Sequence, residues 1–142
     1  RLCIVGAEQA AMDGIEIEAK AWRLEDEVAD LQGFDIGLMP MPDDPWTRGK
    51  GGYKLLQYMA TGLPVLTSPV GINQQIVEDG CQGFWASTSA EWLARLEELV
   101  TDEALRRRMG QEGRRRVEEV YALNVQQIRF AQLLQTLVEE DG

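Results

Sequence analysis

Short apolar runs alternate with helical periods over the first 87 residues. The stretches "LCIVG" (2–6), "IEIEA" (15–19), "DIGLM" (35–39), "PVLTS" (64–68) and "GFWAS" (83–87) have the length and apolar content of strands. "IEIEA" alternates apolar with acidic positions, as a strand with one wet face does. "LCIVG" and "PVLT" are almost continuously apolar, as strands covered by helices on both faces are. Helical periods lie between them, near 24–32, 53–61 and 72–79, the last two closed by Gly62 and Gly80. After residue 87 the pattern is wholly helical. Thr88 and Glu91 have the spacing of a capping box, Asp102 is placed to cap a helix running through Val120, and Asn124 another reaching about Glu140. Strands that alternate with helices predict an α/β fold: a Rossmann-like open parallel sheet with helices on both faces and a helical C-terminus.

The 142 residues show no internal repeat, low-complexity linker or boundary, which predicts one domain over 1–142. The chain enters a strand directly at its start, which predicts a fragment of a larger protein. No apolar run approaches the roughly 20 residues of a membrane span. Two distant cysteines, Cys3 and Cys81, predict reduced thiols and a cytoplasmic chain rather than a disulfide framework. There is no histidine, so histidine bases, Ser-His-Asp triads and histidine metal sites are excluded within this sequence. No metal site and no cofactor are expected.

Charge then singles out one place. With 24 acidic residues against 14 basic ones the chain carries −10, which opposes any general affinity for nucleic acid. Of its three lysines, Lys50 and Lys54 both fall in "RGKGGYKLLQYMATG" (48–62), beside Arg48. An anion is therefore bound locally if it is bound at all. Gly49, Gly51 and Gly52 let a ligand approach the backbone, the helix from Tyr53 points its positive end at the turn, and Arg48, Lys50 and Lys54 bring charge. Lys54, Gln57, Tyr58 and Thr61 share one helical face, with Leu55, Leu56, Met59 and Leu63 on the other. Lys54 near the helix start and Gln57 one turn on suit a diphosphate and its ribose. The competing reading is a glycine turn with solvated lysines. The loop matches neither a Walker A motif nor G-x-G-x-x-G.

These residues resemble a family. "DIGLMPMP", "GKGGYKLLQYMATGLPVLTSPVGINQQIVEDGCQGFWA" and "EWLARLEELVTDEALRRRMGQEGRRRVEEVY" resemble, in order, the C-terminal half of a retaining glycosyltransferase of the GT-B type. That large family contains sucrose synthases and bacterial mannosyltransferases. The resemblance implies half of a GT-B fold that binds a nucleoside diphosphate sugar, with the acceptor held by an N-terminal domain missing here. It places Lys54 on the donor phosphates, Gly51 and Gly52 against the sugar, and the 69–73 turn, with Gly71 and Asn73, among the backbone donors. The family's ribose-binding glutamate falls on Gln57, and its sugar-contacting partner eight residues earlier falls on Gly49, which has no carboxylate. Asp43 or Asp44 is the candidate replacement. The implied function is hexose transfer from a nucleoside diphosphate sugar, the fragment alone being inactive. The alternative is a non-catalytic nucleotide- or protein-binding module of the same fold.

Three smaller features have two readings each. Asp43-Asp44 reads as a wet turn before Pro45 more readily than as a metal site. Trp46 suits stacking on a base or sugar, or loop packing. Arg106–Arg108 and Arg114–Arg116 suit weak contact with an anionic membrane surface, or a salt-bridged solvent face; interleaved glutamates favour the second.

Overall fold

The computed structural model describes residues 1–140, and the chain forms two compact units, Arg1–Gly33 and Phe34–Gly142. In the first unit β1 (Leu2–Val5) pairs parallel with β2 (Ile17–Lys20), Leu2 opposite Ile17 and Val5 opposite Lys20. β2 starts two residues later than its alternation predicts, because Ile15 bridges back to Met12 around Gly14, whose φ is +78°. The following helix α1 (Glu27–Gln32) holds Asp30, whose Oδ1 takes the Lys20 ammonium at 3.0 Å. Lys20 is thereby a structural ion pair, in contrast to the other two lysines.

The second unit is built on a parallel ladder, β3 (Gly37–Met39), β4 (Val65–Thr67) and β5 (Gly83–Trp85), with β4 in the middle. The period of two along each strand sorts side chains to opposite faces. Leu38, Leu66, Phe84 and Ala86 meet Leu99 of α5 (Ser89–Thr101) and Leu105 and Met109 of α6 (Glu103–Arg116). Met39, Val65 and Trp85 meet Leu55 and Met59 of α3 (Tyr53–Ala60) and Ile76 of α4 (Asn73–Ile76). Val65 and Leu66 are both fully buried, as a central parallel strand with helices on each side requires. Removing the Leu66 side chain to Ala costs about 2–5 kcal/mol at such a site.

Helix ends follow the sequence closely where their signals are local. Gly62 ends α3 in a Schellman motif: it has φ +79°, its N–H donates to Met59 O, and Leu63 N donates to Tyr58 O at 2.9 Å. Thr88 and Glu91 form the expected capping box, and Asp102 Oδ1 accepts from Leu105 N at 2.8 Å. Three ends differ from expectation. α4 stops at Ile76, not before Gly80, since Val77 is extended and Gly80 instead shapes a turn in which Cys81 N donates to Glu78 O. The helix capped by Asp102 changes at Val117 into a π turn, Val117–Tyr121, and α7 (Leu123–Glu140) starts one residue before Asn124.

The arginines of α6 have two jobs. Arg107, Arg114 and Arg115 pair with Glu103, Glu118 and Glu112 along the helix, the salt-bridged face that the glutamate spacing predicts. Arg106, Arg114 and Arg116 also reach across to carbonyl oxygens left open at other helix ends: Leu99 and Val100 of α5, Ala60 of α3, and Gln75 and Ile76 of α4. Among the described residues no helix is long and apolar enough to cross a membrane.

Candidate functional site

The loop of interest lies at the carboxyl end of β3 and is stiff before it reaches its glycines. Asp44 caps the single turn α2 (Pro45–Arg48): its Oδ1 accepts from Thr47 N at 2.8 Å, and Thr47 Oγ1 accepts from Asp44 N at 3.2 Å. Pro45 at the first helical position has the φ the turn needs. The carboxyl of Asp44 is held below its ordinary range, chiefly by the Thr47 backbone amide. Asp43 is held low as well, by the Arg48 guanidinium that grips it through two contacts of 2.6 and 3.0 Å. Neither carboxylate is therefore idle, and Arg48, predicted as an open cation, is already neutralised. Trp46 does not pack into the loop; it stands 80% exposed on α2.

Beyond α2 the polypeptide runs short of partners. Gly49 N and Lys50 N donate back to Trp46 and Thr47, but the N–H groups of Gly51, Gly52, Tyr53 and Lys54 donate to no protein atom among the described residues. Gly52 precedes α3 with φ +65° and gives no side-chain cap, so the helix starts open. Lys50 and Lys54 are exposed and enter no ion pair among the described residues. Four amides and two ammonium groups without partners among the described residues, together with a helix N-terminus, make a strongly donating surface for an anion.

The two glycine turns of the sequence are brought together here. Gly71 (φ +56°) lies so close to α2 that a Cβ on it would stand 2.6 Å from Arg48 O. A Cβ on Gly52 would overlap Ile76 Cδ1 and come within 3.2 Å of Ile72 Cγ2. Gly71 and Ile72 add two more backbone N–H groups without protein partners among the described residues. Asn73 does not: its N–H donates to Val70 O, and its side chain, 1% exposed, donates to Thr67 Oγ1 and Ser68 O at 3.1 Å each. Asn73 ties the end of β4 to α4, and Ser68 Oγ in turn accepts from Met41 N at 2.9 Å, fixing the segment that leads to α2. It serves the site as scaffold.

Along α3 the predicted polar face divides. Lys54 is exposed, and Gln57 is half-buried with no side-chain hydrogen bond among the described residues. Tyr58 turns away: its ring fills the space over Gly37, where a Cβ would overlap it, and burial raises its phenol pKa. Thr61 Oγ1 bonds back to Gln57 O and Tyr58 O. A helix wraps 3.6 residues per turn, so residues of one stripe still differ in what lies beside them. Gly51, unlike Gly52, has no positive φ, and a Cβ there would touch nothing within 4 Å. Ile72 and Ile76, which stand against Gly52, and Arg116 and Tyr121, which bond the carbonyls of α4, have no sequence signal of these roles.

The family described as "Glycosyl transferases group 1" matches residues 38–116, more than half of the chain and all of the loop, α3 and α4. No curated protein matches it. Among solved structures it is similar to sucrose-phosphate synthase from Thermosynechococcus elongatus, with a TM-score of 0.74 and 20% identity over 87% of this chain and 31% of that one. HepE of Anabaena, solved in complex with UDP and glucose, gives a TM-score of 0.73 and 15% identity over 84% of this chain and 32% of that one. The C-terminal domain of a glycosyl transferase group 1 family protein (LpcC) from Francisella tularensis gives 0.56 and 17% over 75% of this chain and 69% of that one. At these identities the likeness is one of fold. The chain spans about a third of the length of the first two.

Proposed function

Because the chain belongs to the glycosyl transferases of group 1, we propose that it is the donor-binding domain of a retaining GT-B enzyme, moving a hexose from a nucleoside diphosphate sugar to an acceptor. The observation that carries this reading is the run of four amides, Gly51 to Lys54, beside Lys50 and Lys54, all without partners among the described residues. As the anomeric C–O bond to the diphosphate breaks, negative charge grows on the leaving oxygens. Donors fixed in advance around that position stabilise it without reorganising. Lys54 supplies the nearest cation, the amides of Gly71 and Ile72 close the second side, and Gln57 reads the ribose. HepE, solved with UDP and glucose, supports a nucleoside diphosphate as the ligand class. An N-terminal domain would hold the acceptor, so this chain alone turns over no donor. Free thiols at Cys3 and Cys81 fit a cytoplasmic location.

A second reading, a module that binds nucleotide without catalysis, is favoured by one observation. The position of the sugar-contacting carboxylate is Gly49, and both nearby replacements, Asp43 and Asp44, are engaged by Arg48 and Thr47.

A thermal-shift panel of UDP, GDP, ADP and their sugars tests both. The first reading expects a diphosphate sugar to stabilise the chain beyond its bare diphosphate; equal shifts favour the second, and no shift with any of them removes both. Calorimetry on Lys54→Ala should show about 1.5–3 kcal/mol of binding lost, the range of hydrogen bonds to charged groups. Lys50→Ala should cost less, since a rim charge in water is screened.

A further inference from the structure

The π turn Val117–Tyr121 is not explained by donor binding as described. It is closed by Ala122 N donating to Val117 O at 2.8 Å. A π turn inserts one residue into a helix and shifts the facing of everything around it, and such turns occur often near functional sites. Here it brings two side chains from successive turns onto one target. Arg116 Nη2 donates to Gln75 O at 2.6 Å and Nε to Ile76 O at 2.8 Å, while Tyr121 Oη reaches the same Gln75 O at 3.3 Å. Val117 and the Tyr121 ring pack on the cluster that holds Leu55, Met59 and Ile76.

The object being held is small. α4 has four residues, and its last carbonyls have no intrahelical partners. Yet α4 carries Ile76 and follows Ile72, the two side chains that stand against Gly52 at the open start of α3. Unlike Arg107, Arg114 and Arg115, Arg116 enters no ion pair among the described residues; its charge is committed to these carbonyls. Charge-assisted bonds of this kind are about twice as strong as neutral ones.

The geometry points to Arg116, assisted by Tyr121, as a positioning residue for the diphosphate site. It pins α4 so that Ile72 and Ile76 hold Gly52, and so that the amides of Gly51–Lys54 and of Gly71–Ile72 face one ligand together. This rests on the reading of the loop as a diphosphate site. Neither residue touches the ligand. A loosened α4 leaves all the donors present but no longer convergent, and preorganisation is where binding of this type is lost.

A matched control lies on the same helix. Arg106 grips Leu99 O and Val100 O at 2.7 and 3.0 Å at the end of α5, the same chemistry away from the loop. Arg116→Met, Arg116→Lys and Arg106→Met in the full chain would be compared by two readouts: UDP affinity by calorimetry, and exchange without nucleotide of the hydrogen-bonded amides at 55–58 and 73–77, where Leu55 N donates to Gly52 O and Ile76 N to Ile72 O. Arg116→Met is expected to weaken UDP binding about tenfold, or about 1.4 kcal/mol, and to speed exchange in both segments. Arg116→Lys, which keeps the charge but lacks the rigid planar fork, should recover part of both. Arg106→Met should lower the melting temperature while leaving affinity and exchange in these segments within twofold of the unmutated chain. Arg116→Met that behaves as Arg106→Met does, or unchanged exchange at 55–58, overturns the positioning role. Lys54→Ala with unchanged UDP affinity overturns the diphosphate reading instead, and the exchange measurement still decides on Arg116.

Discussion

Gly71 presses its backbone against that of Arg48, with the Arg48 carbonyl oxygen 2.6 Å from where a Cβ on residue 71 would lie. This contact is what makes two turns, far apart in sequence, a single surface of backbone donors. Gly71 also has φ +56°, a conformation that costs an L residue about 1–2 kcal/mol. Gly71→Ala should therefore both destabilise the fold and part the turns, because the clash is with backbone and no side chain can yield. A lowered melting temperature together with weakened UDP binding is the expected pair of results. Full affinity in a Gly71→Ala chain would show that the two turns do not act on one ligand.

Gly51 gives the opposite case. Its backbone accepts any residue and a Cβ there meets nothing within 4 Å, so the fold has no need of glycine at this position. Gly51→Ala should leave stability within about 0.5 kcal/mol, as ordinary surface changes do. If a diphosphate or its sugar lies against this amide, the added methyl should still reduce affinity. Unchanged stability with unchanged affinity would place the ligand away from Gly51.

The glycine loop and the strands were legible because their signals are local. A period of two carries Val65 and Leu66 to opposite faces, and Gly62 follows its helix at the position where a Schellman motif needs it. The loop's cations were legible as a composition anomaly, but not their state: the bidentate grip of Asp43 on Arg48 depends on the rigid turn between them. The length of α4 was not legible at all. It is cut by contacts from downstream, where Trp85 Nε1 donates to Val77 O and Gln82 Oε1 accepts from Glu78 N. Arg116 was equally hidden, since its targets lie 40 and 41 residues earlier and arginine next to glutamate reads as solvent face.

The Asp43–Arg48 pair sets a pH-dependent limit on the charge of the loop. Asp43 is held below its ordinary value of 3.8, so the unfolded chain takes up its proton first as the pH falls. The pair's contribution is fully present above that value and is lost as the pH drops through the lowered one. At neutral pH Arg48 therefore stays engaged. Asp43→Asn removes the grip without acid, and should tighten UDP binding by about two- to fivefold, the scale of an exposed charge pair. The gain should shrink with added salt. Titrations at low and high salt check it; weaker binding in Asp43→Asn would mean that Asp43 itself contacts the ligand.

Gln57 offers the sharpest test of where the donor lies along α3. It sits one turn beyond Lys54, half-buried, with its amide unpaired among the described residues. A diphosphate anchored at the start of α3 would bring its ribose to this amide, which both donates and accepts. A 2′-deoxy nucleotide should then bind more weakly than its ribo counterpart by about 0.5–1.5 kcal/mol, the net worth of one neutral hydrogen bond. Gln57→Glu should keep or strengthen ribose binding, because a carboxylate is the stronger acceptor for a hydroxyl. Gln57→Leu, similar in size but without the amide, should abolish the ribo/deoxy difference while leaving the diphosphate contribution in place. Equal affinities for both nucleotides in the unmutated chain would show that Gln57 does not read the ribose, and the donor would have to run from Lys54 along a different side of the helix.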